Sequence, residues 1–309
     1  MNIYVPKYMY DLTTLEKIRE ENFRNYPDIV MDNMKNKPSN SYVVGWGDVP
    51  RSYKHGIIET GFFYEGIHLD TIGLYQHSSL TTPLANELIA NFKSDNDIIN
   101  KMLVNNSSAS KYSQGQDREF CNKESFSWDG VVLALQNPTD RSVLSVTSEE
   151  NYYDFIRGAC KYYGKHLFVK LHPWNSGKVG ERIRKLCASY GCQAAKVNHR
   201  VIMNCKFVLV FNSTFVVDCL MRGVKVAQYA PGYFWQSKAV QYTNYEYPDD
   251  VSTDIATGYK LCNFLVWKYC FNYNMSVDKW VALLRHFSVS KKVFPMTDEF
   301  CYATNYELQ

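Results

Sequence analysis

The sequence predicts an α/β protein of two lobes, with a Rossmann-type parallel sheet in the C-terminal lobe. Three observations carry this. From residue 129 on, short apolar runs alternate with amphipathic stretches, the pattern of strands joined by crossover helices. DGVVLALQ (129–136), HLFVKLH (166–172) and CKFVLVFN (205–212) are almost continuously apolar, as strands covered on both faces are. A Ser/Asn/Lys-rich stretch at 105–127 separates this half from what precedes it. The expected domains are therefore 1–125, an N-terminal lobe, and 126–309, a C-terminal ligand-binding lobe. A chain of 309 residues is long enough for two such cores.

In chain order, LTTLEKIREENFRNY (12–26) has helical spacing, with Thr13 as cap and Glu16 three residues on. A polar loop with Pro38 follows. SYVVGWG (41–47) and KHGIIETGFF (54–63) are strands, and HLDTIGLYQHSSL (68–80) is strand or turn. TTPLANELIANF (81–92) opens a helix with Pro83 in its first turn. SEENYYDFIRGACKYYG (148–164) is a helix capped by Ser148 and closed by Gly164. ERIRKLCASYG (181–191) is a helix ending at Gly191. QAAKVN is a weak strand, STFVVDCLMRG (213–223) a helix, VKVAQY a strand and SVDKWVALLRHF (276–287) an amphipathic helix. YKLCNFLVWKYC (259–270) is a core helix or strand, or a peripheral membrane contact. No G-x-G-x-x-G stands at a strand end, so the dinucleotide fingerprint is missing.

Composition narrows the function classes. The net charge of +3 is too small to argue for wrapping nucleic acid. No apolar run reaches the roughly 18–20 residues of a membrane span, and the N-terminus lacks the charged-then-apolar pattern of a signal peptide. Nine scattered cysteines, without a C-x-x-C pair or zinc spacing, fit reduced core thiols and a cytoplasmic protein.

The chemistry-bearing residues gather at strand ends, where open α/β sheets bind ligands. Gln136-Asn137-Pro138-Thr139-Asp140-Arg141 follows the first strand, and Asp140 is a base, nucleophile or metal ligand, or else a turn cap. Lys170 and His172 fall two apart, hence on one side of a strand that Pro173 ends, and suit a phosphate-bearing ligand. Asn212-Ser213-Thr214 stands between a strand and a helix, as an anion site or as plain capping residues. Tyr229 to Phe234, including Tyr233, is a Pro-Gly turn that walls a sugar site or is only a turn. Glu59 ends an apolar strand, which is costly unless it meets a polar cleft or water. With Asp140 it would make a pair of carboxylates, as glycosyl transfer uses.

Seven segments, in order, resemble those of the bacterial retaining β-Kdo glycosyltransferases of capsule and O-antigen assembly (KpsC/WbbB type). They are VVGWG (43–47), IIETGFF (57–63), LDTIGLYQHSSL (69–80), LALQNPTD (133–140), VKLHP (169–173), FNSTFVVDCLMRGVKV (211–226) and YAPGYF (229–234). Thr60 stands where the family has Asp, Asn-Ser-Thr replaces its serine pair, and Asp218 is the acidic residue of the helix that follows. The resemblance implies a two-lobed GT-B-like glycosyltransferase that moves Kdo, an eight-carbon keto sugar acid, from CMP-β-Kdo to a surface glycan. It implies Asp140 as nucleophile, Glu59 as base, His172 assisting departure of CMP, and Lys170, Ser213 and Thr214 around the phosphate. Gln136, Arg141 and Lys170 are its candidates for the Kdo carboxylate. No metal and no cofactor are expected, since the donor is a substrate. The expected partners are the CMP-sugar and a glycan acceptor, lipid-linked or free, with the chain one module of a larger synthase or a whole enzyme. The other classes left open are an inverting CMP-sialic-acid-type transferase, a CDP-alcohol phosphotransferase and a non-catalytic glycan-binding module.

Overall fold

The computed structural model describes residues 1–5, 20–31, 41–46, 56–63, 66–105, 128–272, 274–290 and 292–306. The predicted cap at Thr13, the Pro38 loop and the linker at 106–127 lie outside them. The chain divides into two compact units, Met1–Ser79 with Phe264–Gln309, and Leu80–Asn263. This differs from the expected division at 125/126, because the last stretch of chain returns to the first unit's sheet.

The first unit opens with β1 (Asn2–Val5), β2 (Ile29–Met31), β3 (Ser41–Trp46), β4 (Gly56–Thr60) and β5 (Gly66–Asp70). Strands β3, β4 and β5 match the sequence expectations. The short β1 and β2 were not foreseen, having too few residues for a periodicity. Residues 20–26, expected as helix, form one 3-10 turn at Glu20–Phe23 and a bend.

The second unit begins with α1 (Pro83–Ala90), where the Thr82 side chain accepts from the Ala85 N–H and Pro83 takes the first helical position. It continues with α2 (Asn96–Asn105), β6 (Val131–Ala134), α3 (Arg141–Leu144) and α4 (Glu149–Tyr163), then β7 (Leu167–Lys170), α5 (Gly177–Ala188) and β8 (Gln193–Ala195). After these come β9 (Phe207–Val210), α6 (Phe215–Met221), β10 (Val226–Gln228), β11 (Gln241–Tyr242) and α7 (Ile255–Phe264). Ser148 caps α4 through the Asn151 N–H, and Gly191 takes φ +72° just after α5, a conformation that costs a side chain about 1 kcal/mol.

All pairings in this sheet are parallel, in the order β11-β10-β9-β6-β7-β8. Counted from β6, that is 6-5-4-1-2-3, the doubly wound Rossmann arrangement. Side-chain alternation splits the strands between two cores. Val131, Leu133, Leu167, Val169, Phe207 and Leu209 face one, with Tyr152, Ile156, Ile183 and Cys187 of the helices. Val132, Ala134, Phe168, Val208 and Val210 are also buried, and by alternation they face the other side. Each Val, Leu, Ile or Phe among these contributes roughly 1.5–3 kcal/mol. Both faces are therefore covered, which leaves the carboxyl edge to carry function. Cys160 and Cys187 are free thiols with sulfurs 3.8 Å apart. The Cys187 thiol, and then burial, push Cys160 up to about 12, as suits inert core thiols.

The chain then passes through a π-helical turn at Leu265–Tyr269 into β12 (Cys270–Asn272), α8 (Val277–Val289) and α9 (Tyr302–Tyr306). YKLCNFLVWKYC is thus helix, π turn and strand entry in one. Strand β12 pairs antiparallel with β5, giving a mixed sheet in the order β12-β5-β4-β3-β1-β2. Helix α8, capped by Ser276, buries Trp280, Leu284 and Phe287. Among the described residues no helix is long and apolar enough to cross a membrane.

Candidate active site at the carboxyl edge of the second sheet

Strands β6 and β9 are neighbours, but β6 leads to β7 on one side and β9 to β10 on the other. That is the topological switch point, where the loops diverge and leave a crevice. The two loops are tied by side chains. Gln136 Oε1 accepts from the Asn212 N–H (3.3 Å), and Asn212 Nδ2 donates to the carbonyls of Ser142 (2.6 Å) and Pro231 (3.2 Å). Gln136 Nε2 donates to Ser142 Oγ (2.6 Å), which donates to Asp140 Oδ1 (2.6 Å). Beneath them, the Tyr152 hydroxyl accepts from the Gln136 N–H (2.9 Å). Burial pushes that hydroxyl well up, so it stays protonated. Gly232 lies so close to Asn212 that a Cβ there would sit 2.8 Å from the Asn212 Cβ. The turn needs glycine to close on the crevice.

Asp140 caps α3, its Oδ1 taking the Ser142 N–H at 2.8 Å as well as the hydroxyl. The side chain is half-buried. Among the described residues none hydrogen-bonds Oδ2. The capping reading and the reactive reading are thus both served: one oxygen orients the carboxylate and the other is left for a ligand. Gln136, expected among ligand contacts, instead uses both ends of its amide inside the fold. Arg141 is exposed at the first position of α3.

His172 is half-buried, and its Nδ1 accepts from the Trp174 N–H at 3.2 Å. In the neutral ring this puts the proton on Nε2, as a donor. Strand β7 ends at Lys170, before the expected stop at Pro173, so His172 lies in the loop that follows; the Pro173 carbonyl accepts from Lys196 Nζ. Lys170 differs from His172 in its surroundings. It is 7% exposed, its Nζ lying 5.5 Å from the centre of the Phe215 ring. Its charge acts on a buried group in which Asp218 Oδ1 is 3.4 Å from His199 Nδ1 and 3.5 Å from Arg222 Nη1. Burial draws Asp218 upward, but His199, Arg222 and Lys170 together hold it below the usual carboxylate range. Burial, with Lys170 and Arg222 adding to it, holds His199 below the usual histidine value against the pull of Asp218.

Ser213 Oγ accepts from the Phe215 N–H (3.1 Å) and so shapes the turn into α6. Thr214 is the N-cap residue but makes no side-chain cap bond, and it is half-buried. Tyr233 is 3% exposed, so the expected wall of a sugar site is core packing. Two amide oxygens, Asn175 Oδ1 and Asn212 Oδ1, are buried with no hydrogen-bond partner among the described residues. Each amide's orientation is fixed by its Nδ2 donating to a carbonyl, Asn175 to that of Gln136 at 3.2 Å.

Glu59 belongs to the first unit. It is half-buried in β4, directly opposite His68 of β5, whose ring stacks with Phe62 and Tyr269 at 5.2 and 5.0 Å. Two residues beyond His68, Asp70 accepts from the Ile72, Gly73 and Ser79 N–H groups and from the Ser78, Ser79 and Tyr269 hydroxyls, at 2.6–3.0 Å. Among the described residues no group of three or more His, Cys, Asp or Glu side chains is set to hold a metal ion.

Sequence reasoning missed Ser142, Asn175, Trp174 and the His199–Asp218–Arg222 group. Ser142 had a signal, because Asp followed two residues later by a backbone donor is an Asx turn. The others depend on tertiary contacts.

No protein-family model matches the sequence, and no curated protein matches it. Two solved structures share its fold across most of their length. Both are KpsC of Thermosulfurimonas dismutans. The β-Kdo 2,7 transferase is 17% identical, with a TM-score of 0.56 over 92% of this chain and 99% of its own. The β-Kdo 2,4 transferase is 14% identical, with a TM-score of 0.52 over 88% and 92%. The expected two-lobed, Rossmann-type α/β class, of the kind these transferases have, is borne out.

Proposed function

We propose that the chain is a retaining glycosyltransferase that moves Kdo from CMP-β-Kdo to a glycan acceptor. The observation that carries the reading is Asp140: a carboxylate at the switch point, fixed through one oxygen, with the other outside the hydrogen-bond network. The fold shared with two β-Kdo transferases and the seven ordered segments support it.

In the first step Asp140 Oδ2 attacks the anomeric carbon C2 of Kdo. The C2–O bond to phosphate breaks, an ester forms and CMP leaves, its phosphate receiving a hydrogen bond from His172 Nε2. In the second step the acceptor hydroxyl attacks C2 from the other face, its proton passing to water, and the ester opens to restore Asp140. Two inversions return the β configuration. Thr214, whose hydroxyl is not used as a cap, meets the phosphate. Arg141, exposed beside Asp140, meets the Kdo carboxylate. No metal or cofactor enters these steps. The glycan belongs to capsule or O-antigen assembly, and the enzyme works in the cytoplasm, peripherally at the membrane if its acceptor is lipid-linked.

The test is product analysis after incubation with CMP-Kdo and a panel of glycan acceptors. A β-linked Kdo product by NMR is expected. An α-linked product would mean an inverting enzyme. Turnover of CDP-alcohols alone, or no thermal shift with CMP, would overturn the reading in favour of a phosphotransferase or a non-catalytic module.

A further inference from the structure

Beside His172 the loop after β7 carries an indole in water. Trp174 is 54% exposed, although a tryptophan has some 150–250 Å² to bury. Its ring meets the His172 ring edge to face, with centroids 5.6 Å apart and planes at 75°. The loop beneath is braced. Trp174 N–H donates to His172 Nδ1, Asn175 N–H to the His172 carbonyl (2.9 Å), Asn175 Nδ2 to the Gln136 carbonyl, and Lys196 Nζ to the Pro173 carbonyl. The indole is therefore held in place on a loop that is tied to Gln136. Strand β7 neighbours β6, about 4.8 Å away, so Trp174 flanks the loop that bears Asp140.

We infer that Trp174 is a stacking platform for the C–H face of a pyranose ring, either the donor's sugar or the acceptor's terminal residue. The location rests on the function proposed above. The chemistry rests on the indole itself. A large aromatic surface that is 54% exposed suits a ring that has one apolar face and a rim of hydroxyls that stay hydrated.

The test compares wild type with Trp174→Ala and Trp174→Phe, the thermal midpoint confirming that each is folded. Three quantities are measured: affinity for CMP, affinity for CMP-Kdo in an Asp140→Asn background, and KM for the acceptor. Trp174→Ala is expected to leave CMP affinity within about twofold and to weaken one of the other two by about tenfold, with Trp174→Phe retaining most of it. Weaker CMP-Kdo binding identifies the donor sugar as the stacked ring, and a raised acceptor KM identifies the acceptor. An equal loss of CMP affinity would mean a nucleobase platform and overturns the inference, as does no change in any of the three. If wild type neither binds CMP nor turns over CMP-Kdo, the proposed function is what fails. Trp174 is then judged on an array of immobilised pyranose oligosaccharides. Binding by wild type that Trp174→Ala loses supports the platform, and equal or absent binding overturns it.

Discussion

Asp70 ends a strand of one unit and Asp140 follows a strand of the other, and the structure uses them in opposite ways. Asp70 is 1% exposed and spends both oxygens on six donors, so it ties the end of β5 to the turns at Ser78 and Ser79 and to Tyr269. Asp140 is half-buried and spends one oxygen on Ser142. A carboxylate with every lone pair occupied is a structural tie, because a ligand could reach it only by breaking charge-assisted bonds worth about 1.5–3 kcal/mol each. A carboxylate pinned by one oxygen keeps its orientation and still has a lone pair to give.

The comparison can be broken at either residue. The largest effect is expected at Asp140. Asp140→Asn keeps a competent cap, since Asn and Asp cap helices equally well, so stability should change by less than about 1 kcal/mol. Transfer should fall by at least 10³-fold, about 4 kcal/mol in the barrier. Initial rates and a melting curve on the same sample check both halves. Asp70→Asn should do the reverse. An amide turns a donor toward the Ser78, Ser79 and Tyr269 donors, which should cost on the order of 3 kcal/mol in denaturant unfolding. A stable Asp70→Asn variant with abolished transfer would make Asp70 a reagent and collapse the distinction.

Ser142→Ala sharpens the Asp140 side. It removes the hydroxyl that accepts from Gln136 and donates to Asp140, while the Ser142 N–H bond stays. We expect a loss of about 1–2 kcal/mol in stability and about tenfold in rate, with CMP affinity retained, read by titration calorimetry and steady-state kinetics.

The smallest effect is a pH dependence from the group under α6. His199 is held below its ordinary value in the fold, whereas the unfolded imidazole titrates near 6.5. The unfolded chain therefore takes up the proton first, and this share of stability is full above about pH 6.5 and is lost as pH falls through the lower folded value. Asp218, also held low, adds a second loss below about pH 4. Arg222 and Lys170 act on both groups. Wild-type melting temperature should drop between pH 7 and 5, and His199→Gln should flatten that part of the curve.

The second unit was legible in the sequence because its strands are covered on both faces and its helices carry their own caps, Ser148 and Gly191 among them. The switch-point residues were legible for the same reason: Gln136, Asp140, His172 and Asn212 stand where apolar runs stop. What they do there was not. Gln136 and Lys170 looked like ligand contacts because chain position shows that a polar residue ends a strand, not whether its partner is a ligand or a neighbouring loop. Tyr233 failed likewise, since a Pro-Gly turn can fold its aromatic inward. The division of the chain was misjudged because β12 is three residues long and becomes a strand only by pairing with β5. Asp70 lay inside a segment of the family resemblance, yet its six bonds come from residues spread over 72–79 and 269, which no spacing displays.

The most direct test of the central claim is a quenched, acceptor-free reaction with CMP-β-Kdo, analysed by intact and peptide mass spectrometry. The account predicts a mass increase of one Kdo residue on the peptide containing Asp140, sensitive to added acceptor and missing in Asp140→Asn. Transfer that proceeds without any adduct and survives in Asp140→Asn would contradict it.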